Sequence, residues 1–191
     1  MIVELHRQGA QRFTQFVDAI GDDAWHRPTP CSEWDVTALL DHNVSENLWV
    51  TPILEGQTID EVGDRFEGDV LGDDPKRAWR ESADAACEAA EGLGDLQTVV
   101  HLSFGDFSAE EYLWQRYADF VVHAWDLARG IGADDHLGGD LVEPCLTWAQ
   151  PYAEIFASTP DYFDPPIDPA PGDDAQTRLL KLFGRDPARE A

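Results

Sequence analysis

The sequence predicts a mainly all-α protein, a four-helix bundle with a short extended or β-hairpin element and a proline-rich C-terminal tail. Most of the chain falls into long segments whose apolar residues recur at the spacing of an amphipathic helix. One short segment is instead rich in β-branched and aromatic residues. With 191 residues, 43% of them hydrophobic, the chain is long enough to bury one sizeable core.

Two helices are predicted in the first part of the chain. The first covers residues 2–20, where apolar residues recur at roughly helical spacing. The second follows Ser32, which we assign as its N-cap because an acid, Asp35, stands three residues later, as in a capping box. It should end at about Val50, since Pro52 lacks the backbone N–H that a helix interior needs.

The middle of the chain contains a loop, a helix and the segment with β character. Residues 56–74 are acidic and punctuated by glycine, which predicts a long loop. Pro75 suits the first turn of a helix that we expect to reach about Glu91. Residues 97–107 surround a Gly-Asp pair with β-branched and aromatic residues, which predicts a short hairpin or an extended crossover.

The longest predicted helix begins at Ser108, because the sequence Ser-Ala-Glu-Glu has the form of a capping box. This helix should extend to about Arg129, with Gly130 and Gly132 ending it. A further helix is expected over residues 139–157.

The domain organisation follows from these elements. We predict one domain, in which residues 1–158 form the helical bundle and residues 159–191 form a proline-rich wrap and a short final helix. Four prolines fall within residues 160–170, which predicts an extended segment there. The short helix is expected over 174–183.

Charge and composition exclude several classes of function. The chain has 38 acidic and 13 basic residues, a formal net charge of −25. Such a surface repels phosphate backbones and anionic lipids, so we expect no nucleic-acid or membrane partner. The N-terminus lacks a signal-peptide pattern, and we therefore expect a cytoplasmic protein. Three widely spaced cysteines do not predict disulfides or a Cys-rich zinc site; we expect small buried side chains at Cys31, Cys87 and Cys145.

A polar stripe runs along the longest predicted helix, which is apolar on nearly all its other faces. Asp119 and His123 stand one turn apart, so their side chains project from the same face. A helix that is apolar nearly all round is usually buried, and a buried carboxylate or imidazole needs a partner. Two interpretations stay open: a hydrogen-bonded pair in the core, or two ligands of a metal ion.

The second helix supplies a third candidate ligand, His42. Two histidines and one carboxylate from two helices would form a three-ligand site with open coordination positions, which suits Zn²⁺, Ni²⁺ or Fe²⁺. Glu46, Asp126 and Arg116 are the candidate neighbours of these ligands. Asp126 could hydrogen-bond a neighbour, orient a metal-bound imidazole or pair with an arginine. The other histidines are assigned to the surface or to loops: His6, His26, His101 and His136.

Three separated motifs in the chain resemble one family. They lie in residues 25–42 (Trp-x-x-Pro-Thr-Pro-Cys-Ser-Glu-Trp-Asp-Val-x-x-Leu-Leu-x-His), 119–129 (Asp-x-x-x-His-x-Trp-Asp-Leu-Ala-Arg) and 178–187 (Arg-Leu-Leu-x-x-x-Gly-Arg-Asp-Pro). In this order they resemble the actinobacterial DinB-like metal-binding proteins, relatives of the metal-binding domain of mycothiol-dependent maleylpyruvate isomerase.

The resemblance implies a DinB-like four-helix bundle with a divalent metal, Zn or Ni, held by His42, Asp119 and His123. The isomerase has Glu where Asp119 stands. It also carries a C-terminal domain beyond the bundle, which we expect this chain to lack. Both differences separate this chain from the isomerase.

The resemblance also implies a function. A metal with an open position could bind a low-molecular-weight thiol and present its thiolate to an electrophile, as in a thiol-dependent S-transferase or isomerase with mycothiol as cosubstrate. The partners would then be a small-molecule thiol and an electrophile, and a homodimer is compatible with the sequence. Two alternatives stay open: a non-catalytic, stress-related metal-binding module, and a metal-assisted hydrolase with Glu46 or Asp126 as the general base.

Overall fold

The computed structural model describes residues 1–31, 34–159 and 164–189. Its four long helices are α1 (Ile2–Ala19), α2 (Val36–Leu54), α4 (Pro75–Gly92) and α5 (Ala109–Ile131). The shorter helices are α3 (Ile59–Val62), α6 (Gly139–Ala149), α7 (Ala153–Ser158) and α8 (Ala175–Leu182), and two strands, β1 (Val99–Leu102) and β2 (Gly105–Ser108), form one antiparallel hairpin. The predicted all-α class with a small hairpin is confirmed. Within the described residues, no helix is both long and apolar enough to cross a membrane.

The four long helices enclose the hydrophobic core. α1 packs along α5 and α2 packs along α4, while α1–α4 and α2–α5 contacts close the bundle. The ring centroids of Phe13 and Trp79 are 4.4 Å apart, and those of Trp79 and Phe120 are 5.9 Å apart, so aromatic rings from three helices meet at the centre. α5 is buried on most of its surface, as its sequence predicted.

α2 differs from its predicted bounds at both ends. Its N-cap is Asp35, whose Oδ1 accepts a hydrogen bond from the N–H of Ala38 at 2.9 Å, so the helix begins at Val36. The predicted cap, Ser32, lies outside the described residues. The predicted stop before Pro52 is wrong, because the helix continues to Leu54. Pro52 is buried in the last turn, where the missing N–H costs a single hydrogen bond close to the helix end.

α5 begins as predicted and ends two residues later than predicted. The Ser108 hydroxyl accepts a hydrogen bond from the N–H of Glu111 at 3.1 Å. The helix ends at Gly132, which has the left-handed φ of 73° that glycine adopts at little cost. Gly130 lies inside the helix and does not end it. The lack of a side chain there allows Thr29 and Val36 to pack closely against α5.

The remaining differences concern short elements. The predicted loop at 56–74 contains α3, whose start is a capping box between Thr58 and Glu61. The predicted helix at 139–157 is divided into α6, a 3-10 turn over Gln150–Tyr152 and α7, and Pro151 stands at this break.

The C-terminal segment follows its prediction where the structure describes it. Residues 164–170 have no regular secondary structure, and residues 160–163 lie outside the described part of the chain. α8 then packs against α6. The final turn after α8 brings residues 183–189 back towards α5, where Arg185 contacts Asp126.

Candidate metal centre

The bundle brings the three predicted ligands together. Nε2 of His42, on α2, lies 3.3 Å from Oδ2 of Asp119, on α5. Nε2 of His123, one turn further along α5, lies 3.2 Å from Oδ1 of the same carboxylate. One donor atom from each residue lies within 4.8 Å of the others. The i, i+4 spacing on α5 and the antiparallel neighbour α2 together build a compact set of two nitrogens and one oxygen.

These donors fit a divalent metal ion. Zn²⁺ binds His nitrogen and carboxylate oxygen at about 2.0–2.2 Å in tetrahedral geometry, which places neighbouring ligand atoms about 3.3 Å apart. Each nitrogen lies at about that distance from an oxygen of Asp119, His42 Nε2 at 3.3 Å from Oδ2 and His123 Nε2 at 3.2 Å from Oδ1. His42 Nε2 is also buried without a hydrogen-bond partner among the described residues. A buried nitrogen lone pair next to a carboxylate is the kind of atom that a metal ion would satisfy.

The imidazole of His123 is held from its other side. Its Nδ1 lies 2.9 Å from Oδ2 of Asp126, which is fully buried. Burial raises the pKa of the Asp126 carboxyl, but the charge of Arg185 and the hydrogen bond to His123 outweigh burial and lower it. The carboxylate is therefore an acceptor, so His123 Nδ1–H donates the hydrogen bond. This leaves Nε2 directed at Asp119, the arrangement in which second-sphere carboxylates hold metal-binding histidines.

Arg116 links the ligand carboxylate to Glu46. Its Nη1 donates to Asp119 Oδ2 at 2.8 Å and to Glu46 Oε2 at 3.1 Å. The Arg116 side chain is only 5% exposed, whereas that of Glu46 is 40% exposed. Burial raises the pKa of Asp119, but the charges of His123 and Arg116 outweigh burial and hold it well below its ordinary value. Asp119 is therefore ionised at neutral pH, the form in which a carboxylate can bind a metal ion.

The candidate metal centre borders an open cleft. The indole of Trp34 lies 4.5 Å from the ring of His42 and 5.6 Å from the ring of His123, measured between centroids, and so covers one side of the site. Beside it is a cleft of about 680 Å³ that includes His42 in its wall. Its wall combines the apolar side chains of Trp34, Ala38 and Leu71 with acidic and hydroxyl-bearing residues, which are Asp35, Thr37, Asp41, Ser45 and Asp69.

The cysteines do not supply a nucleophile at this site. Burial raises the pKa of both Cys31 and Cys87 to about 11, and it also raises the pKa of Cys145, which is fully buried. All three are therefore protonated thiols at neutral pH, and a thiol is a much weaker nucleophile than a thiolate.

Two residues depart from the expectations based on sequence. His6 was assigned to the surface, but it is fully buried, and burial lowers its pKa to about 3. His6 lies on the face of α1 that packs against α5, and its ring centroid is 5.2 Å from that of Phe120. Arg185 was not recognised as part of the site, yet it pairs with Asp126. The available signal was the Gly-Arg-Asp-Pro motif, whose partner lies 59 residues earlier in the chain.

Comparison with known proteins identifies relatives of this bundle. Two uncharacterized proteins of Mycobacterium tuberculosis, MT0763 (strain CDC 1551 / Oshkosh) and Rv0738 (strain ATCC 25618 / H37Rv), are each 26% identical to it over 149 residues, covering 76% of this chain and 75% of theirs. Crystal structures of the mycothiol-dependent maleylpyruvate isomerase and of its histidine-to-alanine mutant superpose with TM-scores of 0.59 and 0.63, at 18% and 16% identity. Each covers 81% of this chain and 68% of the isomerase chain, and this likeness shows a shared fold.

A family model gives the assignment. The model of the mycothiol maleylpyruvate isomerase N-terminal domain matches residues 6–128. That segment is more than half of the chain and contains all three candidate ligands together with Asp126. The protein therefore belongs to the mycothiol maleylpyruvate isomerase N-terminal domain family.

Proposed function

We propose that this protein is a divalent-metal-dependent enzyme of the thiol S-transferase or isomerase type, with mycothiol as its thiol cosubstrate. The observation that carries the proposal is the convergence of His42, Asp119 and His123 beside an open cleft. Family membership supports the choice of mycothiol. A metal ion bound to these residues would supply the positive charge that lowers the pKa of a thiol and favours its thiolate.

The residues of the chain have separate tasks in this proposal. His42, Asp119 and His123 would hold the ion, of which Zn²⁺ and Ni²⁺ suit two nitrogens and one oxygen. Asp126 fixes the orientation of His123 through the hydrogen bond to Nδ1. Trp34 limits the access of water on one side of the histidines. The cleft beside His42 is the side from which a thiol could approach the metal.

The sulfur nucleophile has to come from outside the chain. Cys31 and Cys87 stay protonated at neutral pH because burial raises their pKa to about 11. In the reaction we propose, the external thiol loses its proton and its sulfur forms a C–S bond with the electrophile. In a transfer, the bond to the leaving group breaks and the leaving group takes the proton. In an isomerisation, the sulfur adds to a C=C bond whose electrons pass into the conjugated group, the remaining single bond rotates, and the C–S bond then breaks to restore the double bond and release the thiol with its proton. The carboxylates and hydroxyls of the cleft wall favour a thiol that carries hydroxyl or amide groups.

Metal-assisted hydrolysis is less well supported by the geometry. It needs a general base that can take a proton from water, and Glu46 and Asp126 were the candidates. Glu46 accepts from Arg116 at 3.1 Å. Asp126 is fully buried behind His123 and is paired with Arg185 at 3.0 Å. Neither carboxylate is a free base facing the cleft.

The proposal is tested first by metal content. Protein purified without a His-tag is analysed for bound metals, loaded with Zn²⁺ or Ni²⁺, and compared with His123→Ala and His101→Ala. His101 is a suitable control because it pairs with Asp106 on the exposed hairpin, away from the triad. We expect one metal per chain in the wild type and in His101→Ala, and loss of stoichiometric binding in His123→Ala. Full occupancy in His123→Ala would remove His123 from the ligand set.

The reaction is tested on the loaded protein with mycothiol and other thiols against a panel of electrophiles. We expect turnover that requires both the metal and the thiol. Stoichiometric metal with no turnover across the panel would contradict the enzyme proposal and support the non-catalytic metal-binding module instead.

A further inference from the structure

We propose that Arg185 is a positioning residue of the metal centre, which fixes the imidazole of His123 by holding Asp126. This inference rests on the metal site of the proposed function. It adds the C-terminal segment to that site, because Arg185 lies outside residues 6–128, the part matched by the family model. The effect passes through two hydrogen-bonded side chains, from Arg185 to Asp126 and from Asp126 to His123.

The guanidinium of Arg185 is almost completely buried and uses all three of its nitrogens. Nη2 donates to Asp126 Oδ2 at 3.0 Å, and Nε lies 3.4 Å from Asp126 Oδ1. Nη1 donates to the carbonyl oxygen of Phe183 at 2.9 Å. The side chain is 7% exposed, so this is a buried, two-point pairing of Arg with carboxylate and not a surface ion pair.

The backbone before Arg185 is shaped for this contact. Gly184 has a left-handed φ of 76°, and a Cβ at this position would lie 2.4 Å from the Cβ of Asp164. Only glycine permits both the conformation and the close approach. The N–H of Arg185 then donates to the carbonyl oxygen of Leu180 at 2.9 Å, which fixes the turn to the end of α8. The Gly-Arg sequence therefore directs the guanidinium inwards to α5.

The contact reaches the metal ligand through one carboxylate oxygen. Oδ2 of Asp126 accepts both from Arg185 Nη2 and from His123 Nδ1. Asp126 is 0% exposed, and without Arg185 it would lose the two-point pairing that fixes its orientation, keeping among the contacts of the described residues only the hydrogen bond with His123. The carboxylate would then be free to turn away from His123. That releases the imidazole that presents Nε2 to Asp119, and losing the carboxylate that orients a metal-binding histidine weakens metal binding.

The matched control is a half-buried ion pair of the C-terminal segment. Lys181 Nζ lies 2.7 Å from Asp173 Oδ2, with side chains 14% and 16% exposed. This pair belongs to the same tail and shows no contact with the metal centre. Lys181→Met therefore removes an ion pair of the segment and leaves Asp126 unchanged. Arg185→Gln removes the positive charge that faces Asp126. Arg185→Lys keeps a positive charge but cannot form the two-point pairing.

Two measurements test the proposal. In the metal-free protein, NMR detects the His123 Nδ1–H proton, which is hydrogen-bonded to a buried carboxylate and should exchange slowly with water. We expect this resonance to persist in Lys181→Met and to broaden or disappear in Arg185→Gln.

In the metal-loaded protein, competition with a chelator gives the Zn²⁺ dissociation constant, and the visible spectrum of the Co²⁺ form reports ligand geometry. We expect Arg185→Gln to weaken Zn²⁺ binding by about 10–100-fold and to alter the Co²⁺ spectrum, with partial rescue in Arg185→Lys.

The outcomes separate this inference from the metal site itself. If the wild type binds no metal, the proposed metal site fails, but the NMR comparison still decides whether Arg185 orients His123. If Arg185→Gln is folded and keeps the wild-type resonance, affinity and spectrum, the positioning role is wrong. If Lys181→Met weakens metal binding as much as Arg185→Gln does, the effect belongs to the stability of the tail, and the proposal is also wrong.

Discussion

His123 is subject to opposing electrostatic effects. Burial lowers its pKa, but the charge of Asp119 and the hydrogen bonds to Asp119 and Asp126 outweigh burial and raise the pKa to about 9. Without a metal, the imidazole is therefore protonated at neutral pH. A metal ion has to displace that proton before it can reach Nε2, so metal affinity should increase as the pH rises towards 9.

The protonated state of His123 predicts how stability depends on pH. The folded-state pKa of about 9 lies above the ordinary value of 6.5. Protonation therefore stabilises the metal-free fold fully below pH 6.5, and this stabilisation is lost as the pH rises through the folded-state pKa. We expect the free energy of unfolding of the metal-free protein to fall by up to about 1.4 kcal/mol per pH unit between about pH 6.5 and about pH 8.

Urea unfolding over this range checks the expectation. The Zn²⁺-loaded protein, which carries no proton on His123 Nε2, should lack this component of the pH dependence, as should metal-free His123→Gln. The range stays below the ordinary cysteine pKa of about 8.5, so thiol ionisation in the unfolded chain contributes little. Equal slopes in metal-free wild type and His123→Gln would show that His123 is not protonated in the folded protein.

At the scale of the elements, local periodicity predicted that Asp119 and His123 share one helix face. The contacts between different elements depend on tertiary packing, which periodicity does not describe. The i, i+4 spacing of Asp119 and His123 fixes their common face within one helix, so it was readable from the sequence. His42 is on a different helix, so its residue type made it a candidate ligand, while periodicity within α5 could not show that it lies beside Asp119 and His123. Arg185 was missed because its partner is 59 residues away, and helical periodicity carries no information at that separation.

Gly130 and Pro52 show the same limit for element boundaries. Gly130, near the end of α5, and Pro52, near the end of α2, were both predicted to end their helices. The reason was that glycine is common just after a helix and proline lacks the N–H that a helix interior needs. In the folded protein Gly130 provides close packing in the last turn of α5, one residue before the helix ends, and buried Pro52 lies in the last turn of α2. The neighbours that permit these roles come from distant parts of the chain, which local propensity does not include.

Gly130 sets how closely α5 approaches the start of α2. A Cβ at Gly130 would lie 3.0 Å from Thr29 Cγ2, 3.1 Å from Val36 Cγ2 and 3.3 Å from the Pro28 carbonyl oxygen. We expect Gly130→Ala to lower the free energy of unfolding by about 1 kcal/mol, because crowding of a packed contact outweighs the better helix propensity of alanine. The shift of α2 relative to α5 should also weaken metal binding.

Gly92→Ala is the matched control for this substitution. Gly92 is also helical, at the end of α4, but a Cβ there meets no atom within 4 Å. Alanine should therefore leave stability unchanged or raise it by up to about 1 kcal/mol. Urea unfolding and Zn²⁺ competition on both variants make the comparison. A Gly130→Ala variant as stable as Gly92→Ala would show that the Thr29 and Val36 methyl groups move aside without cost.

At the scale of the whole molecule, the net charge of −25 acts on both stability and recognition. Carboxylates also line the cleft beside His42, where Asp41 and Asp69 are near enough to interact: burial raises the pKa of Asp41, and the charge of Asp69 raises it further. Such a field attracts divalent cations to the site and opposes the approach of anions. Metal association should therefore be fastest at low ionic strength.

The same self-repulsion predicts that salt stabilises this fold. Raising NaCl from about 10 mM to about 0.5 M shortens the screening length from about 30 Å to below 10 Å, so repulsion among surface carboxylates is largely removed. We expect the melting temperature of the metal-free protein to rise by several degrees over this range. Asp41→Asn, which removes one of two interacting carboxylates, should melt higher at low salt and gain less from added salt. Choline chloride at the same ionic strength should reproduce the NaCl effect, because screening depends on charge and not on ion identity. A melting temperature that falls with salt would mean that attractive ion pairs, such as those of Arg116 and Arg185, outweigh the net repulsion in the folded state.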